Sequence, residues 1–282
     1  MKEFVFQSPS LDLGCGDGTF SFLRANGEFD ELYDVFMDVD NLDKFYENCD
    51  VYDSFHNITD IKIKKYADYK IDVGLDHKQN LMNKAEKLSL YNEFILANAN
   101  EKLPFADESF ASIFSNIIYW LDDPENTFKE IYRILKRGGK CCVMLPNVTF
   151  LESSFYYRFC KLGKIKEFEF LRLIDRGRVD GNIKVVKTYD EWKGIIGNSG
   201  LKIEACVPHL SKTLIQIWDI GLRPIFPMLK KMTEQLDDET LLNIKSEWVD
   251  LFQKIGQPII ENEKMLSQGE EFCFFCFILS KV

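Results

Sequence analysis

Short apolar runs alternate with amphipathic helical patterns along most of the chain. The runs predicted as strands are centred on Leu11 and Leu13 and on residues 69–76, 93–98, 110–117, 140–146, 201–207 and 271–279. An apolar run with a period of two predicts a strand, and apolar residues three or four positions apart predict a helix. The regular alternation of predicted strands and helices is typical of a parallel sheet with crossover helices.

The helices between these strands have recognisable ends. In the stretch DDPENTFKEIYRILKRGG, Asp122 or Asp123 is a capping residue, and we predict that the helix ends at Gly138. Further on, Thr188 and Glu191 have the spacing of a capping box, which predicts the start of another helix.

Three segments interrupt the alternation within what we expect to be one domain over residues 1–282. Residues 24–68 follow a helix, so we place this insertion where the strands begin. Residues 150–187 and 211–268 follow strands, so we place them at the carboxyl edge of the sheet, where open α/β sheets bind ligands. Both are predicted to cover a substrate. The second is predicted to be a helical lid, with a dimerisation surface as the alternative.

Composition and charge argue against some classes of protein. The chain has 282 residues, 46% of them hydrophobic, and a formal net charge of −10. The negative charge argues against a nucleic-acid surface. We expect no signal peptide and no transmembrane segment, since residues 213–229 are shorter than a spanning helix and carry charges. We therefore expect a cytoplasmic monomer or homodimer.

The eight cysteines are predicted to be free thiols in the core. Cys273 and Cys276 resemble half of a zinc site, but they lie in an apolar run that predicts a buried strand. Three positions apart on a strand, their side chains point to opposite faces. No second pair with ligand spacing is present, so we predict no metal site.

The stretch LDLGCGDGTF, residues 11–20, carries the first candidate chemistry. Glycines at the junction of a strand and a helix let the backbone approach a ligand, because no Cβ stands in the way. The helix that follows offers free N–H groups. Thr19 stands where a dinucleotide-binding pattern needs its last glycine, and the Gly-Lys-Ser/Thr of a phosphate-binding loop is absent.

The pattern D-x-G-x-G-x-G in this stretch resembles motif I of the class I S-adenosylmethionine-dependent methyltransferases. The later stretches EKLPFADESFASIFSN and KEIYRILKRGGKCCVMLPN resemble that family too, in order, and the chain is similar to its type 11 members. The resemblance implies S-adenosyl-L-methionine as cofactor and methyl transfer as the activity. It also implies an α/β, Rossmann-like fold: a seven-stranded, mostly parallel sheet with an antiparallel last strand, and a helical insertion before that strand.

The resemblance also assigns roles to individual residues. The residues it places around the cofactor are Asp12, Gly14, Cys15, Gly16, Asp76, Asn98, Ala99 and Ser115. Asp76 matches the carboxylate that binds the ribose hydroxyls, with Asp38 and Asp40 as rivals because of the long segment before it. Asn98 stands where the family has an aspartate that contacts adenine, and Asn100 is the alternative.

Candidates for the methyl acceptor follow the fourth strand. Asn116 is expected near the methyl group, and Tyr119 and Trp120 are candidates for contact with the acceptor. In the basic segment 151–190, Arg172 and its neighbours could receive a carboxylate or phosphate, although a solvated surface is the commoner interpretation. We expect a small-molecule acceptor or one of glycan or lipid type.

No catalytic residue follows from the sequence. Methyl transfer to an acceptor hydroxyl needs a base to remove the proton, whereas transfer to an amine or thiolate does not always need one. His209 is a weak candidate, because it follows the sixth strand at the ligand edge. His77 is expected to be a wall of the pocket, and His56 lies in the early insertion.

Two other classes of function stay open. One is a regulatory or non-catalytic subunit that binds the cofactor without transferring a methyl group. The other is a Rossmann enzyme that uses a nucleotide sugar or NAD, against which the missing glycine argues.

Overall fold

Seven strands form one sheet at the centre of the computed structural model, which describes residues 4–33, 61–155, 157–163, 166–168, 183–219, 229, 231–269 and 271–282. The strands of the described residues are β1 (Ser10–Leu13), β2 (Glu28–Phe29), β3 (Ile63–Lys65), β4 (Ile71–Asp76), β5 (Tyr91–Leu96), β6 (Phe110–Ser115), β7 (Leu135–Pro146), β8 (Lys202–Ser211) and β9 (Phe272–Ser280). The order in the main sheet is β5-β4-β1-β6-β7-β9-β8. The short strands β2 and β3 pair as a separate ribbon.

Helices connect the strands or follow them. They are α1 (Thr19–Arg24), α2 (Gln79–Glu86), α3 (Pro124–Ile134), α4 (Thr149–Ser153), α5 (Tyr189–Asn198), α6 (Lys212–Ile217), α7 (Asp238–Glu261) and α8 (Glu263–Leu266). Short 3₁₀ turns cover Ile118–Trp120 and Lys166–Phe168, and a π-helical turn covers Tyr157–Leu162.

Strand direction matches the predicted fold. β1 is parallel to β4 and β6, whereas β9 is antiparallel to both β7 and β8. The seven-stranded, mostly parallel sheet with an antiparallel last strand is therefore confirmed. All four residues of β1 are buried, as expected of a central strand with both faces covered.

The core lies on both faces of this sheet. On one face, Phe128 and Ile131 of α3 and Trp192 of α5 are fully buried against β6, β7 and β9. The alternate residues of these strands, such as Cys142 and Cys276, face the opposite side and form a separate cluster. Phe22 of α1 and Met82 and Ala85 of α2 belong to one buried cluster with Cys15 of the turn that follows β1. Parallel strands with both faces covered bring all their carboxyl ends to one edge.

The predicted boundaries around β7 and β8 were wrong. The helix expected to run to Gly138 ends at Ile134, because Leu135 is extended and pairs with Phe110 of β6. The sixth strand, expected over 201–207, continues to Ser211, because its partner β9 keeps pairing with it that far. His209 therefore lies inside a strand rather than after one, opposite Phe274.

The predicted helix caps are present. Asp123, and not Asp122, caps α3, its carboxylate accepting from the backbone N–H of Asn126 at 3.0 Å. Thr188 and Glu191 form the reciprocal capping box at the start of α5. Polar side chains at these positions satisfy N–H groups that the helix itself leaves unpaired.

The cysteines of the described residues are free thiols, and most are buried. Cys206 is an exception, because it is only half-buried. Cys273 and Cys276 pack into different clusters on opposite faces of β9, as their spacing predicted. Within the described residues, no helix has both the length and the apolar character required to cross a membrane.

The described parts of the three insertions contact the domain at different places. At the end of residues 24–68, the N–H of Asp68 donates to the carbonyl of Ala25 at 2.8 Å, where α1 ends. In the other two insertions, Phe150 of α4 and Ile215 of α6 belong to one buried cluster with Phe274. The segments that leave β7 and β8 therefore pack together next to the carboxyl edge.

Candidate functional site

A cavity of about 570 Å³ opens at the carboxyl ends of β1, β4, β5 and β6. Its lining consists of Asp12, Gly14, Cys15, Gly16, Asp17, Phe20, Ser21, Leu75, Asp76, His77, Lys78, Leu81, Ala97, Asn98, Ala99, Asn100, Phe114, Asn116, Ile117, Trp120, Leu121 and Lys184. This volume is in the range of small-molecule and cofactor sites. The site lies where the fold predicts a ligand.

The glycine turn, residues 14–18, forms one wall of the cavity. The N–H groups of Gly14 and Cys15 donate to the carbonyl of Leu75 at 2.8 and 3.0 Å, which ties the turn to the end of β4. A Cβ on Gly14 would lie 2.5 Å from Ile117, so the neighbouring loop requires glycine there. Gly16 has φ +55°, and a Cβ added to it would meet nothing within 4 Å. Its backbone therefore faces open space along the wall.

Asp12 is buried at the base of the turn. Its Oδ2 accepts hydrogen bonds from the Ser21 hydroxyl at 2.5 Å and from the Tyr91 hydroxyl at 2.7 Å. Burial raises the pKa of the Asp12 carboxyl, although these two donors and Arg24 hold part of the rise back. Both bonds go to Oδ2, which leaves Oδ1 as the oxygen available to a ligand.

Asp76 ends β4 and connects two parts of the lining. Its Oδ2 accepts from the backbone N–H of Gly16 at 2.9 Å, and its Oδ1 accepts from that of Lys78 at 2.9 Å. The Nδ1 of His77 lies 3.4 Å from the same Oδ1. Two backbone donors fix the orientation of the carboxylate, and each oxygen keeps a lone pair for a further donor.

The loop after β5 forms another part of the lining. The side-chain oxygen of Asn98 accepts from the N–H of Asn100 at 3.0 Å. The side-chain oxygen of Asn100 accepts from the N–H of Asp122 at 2.8 Å, which joins this loop to the one before α3. Ala99 between them is buried. The loop presents fixed polar groups beside small apolar side chains.

The predicted residues divide into those that line the cavity and those that do not. Among the residues expected around the cofactor, all but Ser115 line it. The Ser115 hydroxyl is buried and donates to the carbonyl of Leu13 at 2.9 Å, so it joins β6 to β1.

The acceptor candidates divide in the same way. Asn116 and Trp120 line the cavity. Tyr119 is buried beside Phe274 instead, with ring centroids 5.9 Å apart. His209 is not part of the lining either, and burial lowers its pKa.

Several residues singled out in the sequence lie outside the part of the chain that the structure describes. Arg172, together with Arg176 and Arg178, lies outside the described residues. The same holds for Asp38 and Asp40, the rivals of Asp76, and for His56.

Sequence reasoning missed other lining residues. Phe20 and Phe114 stack with ring centroids 5.6 Å apart and give the cavity an aromatic wall. Asp17 and Ser21 lie within seven residues of Gly14, so their proximity to the turn was available as a signal. Lys184 had no such signal, because its place beside the cavity depends on contacts with Tyr119 and Asp122, which are distant in the sequence.

A comparison with family models identifies residues 59–143 as a methyltransferase domain. This match contains Asp76, the loop after β5 and the loop after β6, which meet the glycine turn in the cavity. This match agrees with the resemblance of the sequence to the class I S-adenosylmethionine-dependent methyltransferases.

Individual members of the methyltransferase family align over part of the chain. It is 29% identical over 159 residues to the 2-methyl-6-phytyl-1,4-hydroquinone methyltransferase 1 of Oryza sativa subsp. japonica, covering 55% of this chain and 47% of that protein. It is 31% identical to a ubiquinone/menaquinone biosynthesis C-methyltransferase of Desulfotalea psychrophila, covering 30% and 38%.

A third relative has a different named acceptor. The chain is 37% identical over 70 residues to the malonyl-[acyl-carrier protein] O-methyltransferase 1 of Coxiella burnetii, covering 24% of this chain and 23% of that protein. The chain thus spans less than half the length of each of these three relatives.

Proposed function

We propose that this protein transfers a methyl group from S-adenosylmethionine to a small-molecule, sugar or lipid-linked acceptor. The observation that carries the proposal is the pair of backbone bonds on Asp76, from Gly16 and Lys78. They hold a carboxylate with two free acceptor sites beside a glycine turn, in a cavity of about 570 Å³. A nucleoside with an amino-acid end needs both features.

The lining residues fit the cofactor that the family implies. The turn at Gly14–Gly16 has no side chain to obstruct the methionine part, and Asp12 would face its ammonium group. Asp76 would accept hydrogen bonds from the ribose hydroxyls. Asn98 and Ala99 would border the adenine ring. When bound, the cofactor supplies a methyl group that its sulfonium already activates.

The contribution of the protein is then positioning. Holding two reactants in line removes much of the entropic barrier to their reaction. Asn116 and Trp120 line the same cavity as the glycine turn, and we place the acceptor beside them. The aromatic rings of Phe20, Phe114 and Trp120 would exclude water from that region.

Segments at the carboxyl edge would cover the acceptor. Lys184 lines the cavity, and its ammonium group pairs with Asp122 at 2.5 Å. The N–H groups of Lys184 and Val185 both lie 3.1 Å from the carbonyl of Tyr119. These contacts hold the end of the 150–187 segment beside the cavity, which supports a role as a substrate cover.

The relatives favour an acceptor of small or lipid-linked type. Their names specify a phytyl-substituted hydroquinone, the quinones of ubiquinone and menaquinone synthesis, and a malonyl group on a carrier protein. A prenyl-type or carrier-linked acceptor extends out of the cavity while its reactive group lies inside. The buried cluster of Phe150, Ile215 and Phe274 packs against Trp120, which lines the cavity.

Methyl transfer is tested with S-adenosylmethionine labelled in the methyl group. The protein is incubated with the water-soluble and the lipid-soluble fractions of a cell extract, and Asp76→Ala is the control with a defective cofactor site. We expect label to appear in one fraction with the wild type only. Binding of the cofactor without transfer to either fraction would favour the non-catalytic subunit, and failure to bind it would contradict the proposal.

A further inference from the structure

A lysine is buried directly beneath the glycine turn. The side chain of Lys84, in α2, is 1% exposed, and its ammonium nitrogen lies 3.4 Å from Oδ2 of Asp17. Asp17 lines the cavity, and its own side chain is 12% exposed. The ion pair therefore joins the interior of the protein to the wall of the cavity.

The turn and α2 are in close contact at this point. A Cβ on Gly18 would lie 3.0 Å from Leu88 and 3.1 Å from Ala85. On its other side, Asp17 accepts from the N–H of Thr19 at 3.1 Å, which is the first residue of α1. Asp17 is thus attached both to the helix that follows the turn and to the helix that follows Asp76. A displacement of its carboxylate would change the path of the turn.

Stability of the fold does not explain a lysine here. The neighbouring positions of α2 bury Leu81, Met82 and Ala85. A buried ammonium loses its hydration, and replacing a buried ion pair by apolar residues of similar size is often neutral or stabilising. Methionine in place of Lys84 would fill the same space without that cost. The positive charge of Lys84 is therefore better explained by its ion pair with Asp17.

Electrostatics at the turn supply a reason. Asp12, Asp17 and Asp76 all line this end of the cavity. A ligand with an amino-acid end brings a carboxylate as well as an ammonium group, and uncompensated like charges repel each other. The ammonium of Lys84 offsets the charge of Asp17 from inside the protein, where solvent does not screen it.

We propose that Lys84 is a positioning residue for the amino-acid end of the cofactor, and that it acts through Asp17. The proposal rests on the proposed function. Lys84 touches no ligand itself. It holds the Asp17 carboxylate against α2, which fixes the turn and lowers the repulsion that the carboxylate of the cofactor meets there.

Two ligands separate this role from a general structural one. S-adenosylhomocysteine has the amino-acid end, and 5′-methylthioadenosine has the same nucleoside without it. Calorimetry with Lys84→Met should give a dissociation constant about tenfold higher for S-adenosylhomocysteine, or about 1.4 kcal/mol. The constant for 5′-methylthioadenosine should stay within about twofold of that of the wild type. Thermal unfolding of each variant checks that it is folded.

Asp17 variants test whether the effect passes through this carboxylate. The double variant Lys84→Met with Asp17→Asn removes both charges of this ion pair together. We therefore expect affinity for S-adenosylhomocysteine closer to that of Asp17→Asn alone than to that of Lys84→Met. If Lys84→Met does not fold, Asp17→Asn with wild-type Lys84 should still show a loss confined to S-adenosylhomocysteine.

Equal losses for both ligands, or no loss for either, would overturn the role of Lys84 and leave the proposed function intact. A wild-type protein that binds neither ligand would overturn the proposed function and this inference together.

Discussion

The carboxylate of Asp76 is oriented before any ligand arrives, because the N–H groups of Gly16 and Lys78 bond to its two oxygens. Asp76→Ala should therefore weaken binding of S-adenosylhomocysteine by about 1.5–3 kcal/mol, the usual effect of losing hydrogen bonds to a charged group. Isothermal titration calorimetry measures this change. Asp40→Ala, a change at the rival position, is the matched control and should bind like the wild type. The reverse pattern would mean that the ribose site is elsewhere.

Asp12 gives a prediction about pH. Burial raises the pKa of its carboxyl. A proton and the ammonium group of the cofactor compete for this carboxylate, so affinity should fall as the pH is lowered through the raised pKa. The fall should begin at a higher pH than an ordinary aspartate would require. Calorimetry from neutral to mildly acidic pH measures it.

Control variants assign that dependence to Asp12. Asp12→Asn should bind S-adenosylhomocysteine weakly and without this pH dependence. His77→Gln removes the imidazole that lies 3.4 Å from Asp76 and should keep the dependence. A pH profile that disappears in His77→Gln and persists in Asp12→Asn would contradict the prediction.

At the scale of elements, Arg133 of α3 connects the helix to the loop that precedes β6. Its guanidinium donates to Glu130 at 2.8 and 2.7 Å, to the carbonyls of Leu103 and Phe105 at 3.0 and 2.7 Å, and to Asp107 at 2.9 Å. The bonds to Arg133 are the main reason that the pKa of Glu130 is lowered. This arrangement explains the spacing of glutamate and arginine in KEIYRIL.

Arg133→Met should lower the free energy of unfolding by about 2–3 kcal/mol, because it removes the guanidinium that donates to a partly buried carboxylate and two carbonyls. Denaturant titration measures the loss. Arg137→Met is the control: its side chain is 82% exposed, and its contact with Glu108 is 3.7 Å long. Exposed pairs contribute little, so the control should change stability by less than about 0.5 kcal/mol. Equal losses in the two variants would contradict this account.

Sequence patterns located the central elements and misplaced some of their ends. Apolar runs identified every strand of the main sheet, including the edge strands β5 and β8, whose side chains are mostly only partly buried or exposed. Leu135 fits a helix as well as a strand, and only its pairing with Phe110 decides between them. The ribbon of β2 and β3 was missed, because Glu28–Phe29 is too short to give a pattern.

The sequence likewise predicted only part of the candidate site. Residues that follow a strand directly, such as Asp76 and Asn116, could be placed at the carboxyl edge from sequence order alone. The burial of Lys84 and the position of Lys184 depend on contacts between segments far apart in the sequence. Such contacts leave no local pattern.

At the scale of the whole molecule, the segments that leave β7 and β8 meet beside the cavity. Phe150 and Ile215 are buried in one cluster, whereas α7 has no buried residue and exposes Leu251 and Ile255 by 53% and 55%. The lid predicted over 211–268 therefore has a packed first part. The described residues of 220–230 are few, so the contribution of that stretch stays a prediction.

Hydrogen exchange tests the lid. With S-adenosylhomocysteine bound, exchange should slow in residues 183–187 and 212–217 at constant oligomeric state, because both segments pack beside the cavity. Mass spectrometry of peptides measures this, and sedimentation measures the oligomeric state. Protection of 238–261 that follows protein concentration and ignores the ligand would favour the dimerisation surface instead.

The central claim is that the glycine turn and Asp76 form a site for S-adenosylmethionine, and calorimetric titration with S-adenosylhomocysteine tests it most directly. Gly16→Val places a side chain along the open wall of the cavity. Gly138→Val is the matched control, since Gly138 also has positive φ (+73°) and no atom within 4 Å of an added Cβ, but does not line the cavity.

We predict a dissociation constant on the order of micromolar for the wild type and for Gly138→Val, and no measurable binding to Gly16→Val. Binding by Gly16→Val as tight as by the wild type, or no binding by the wild type, would contradict the account.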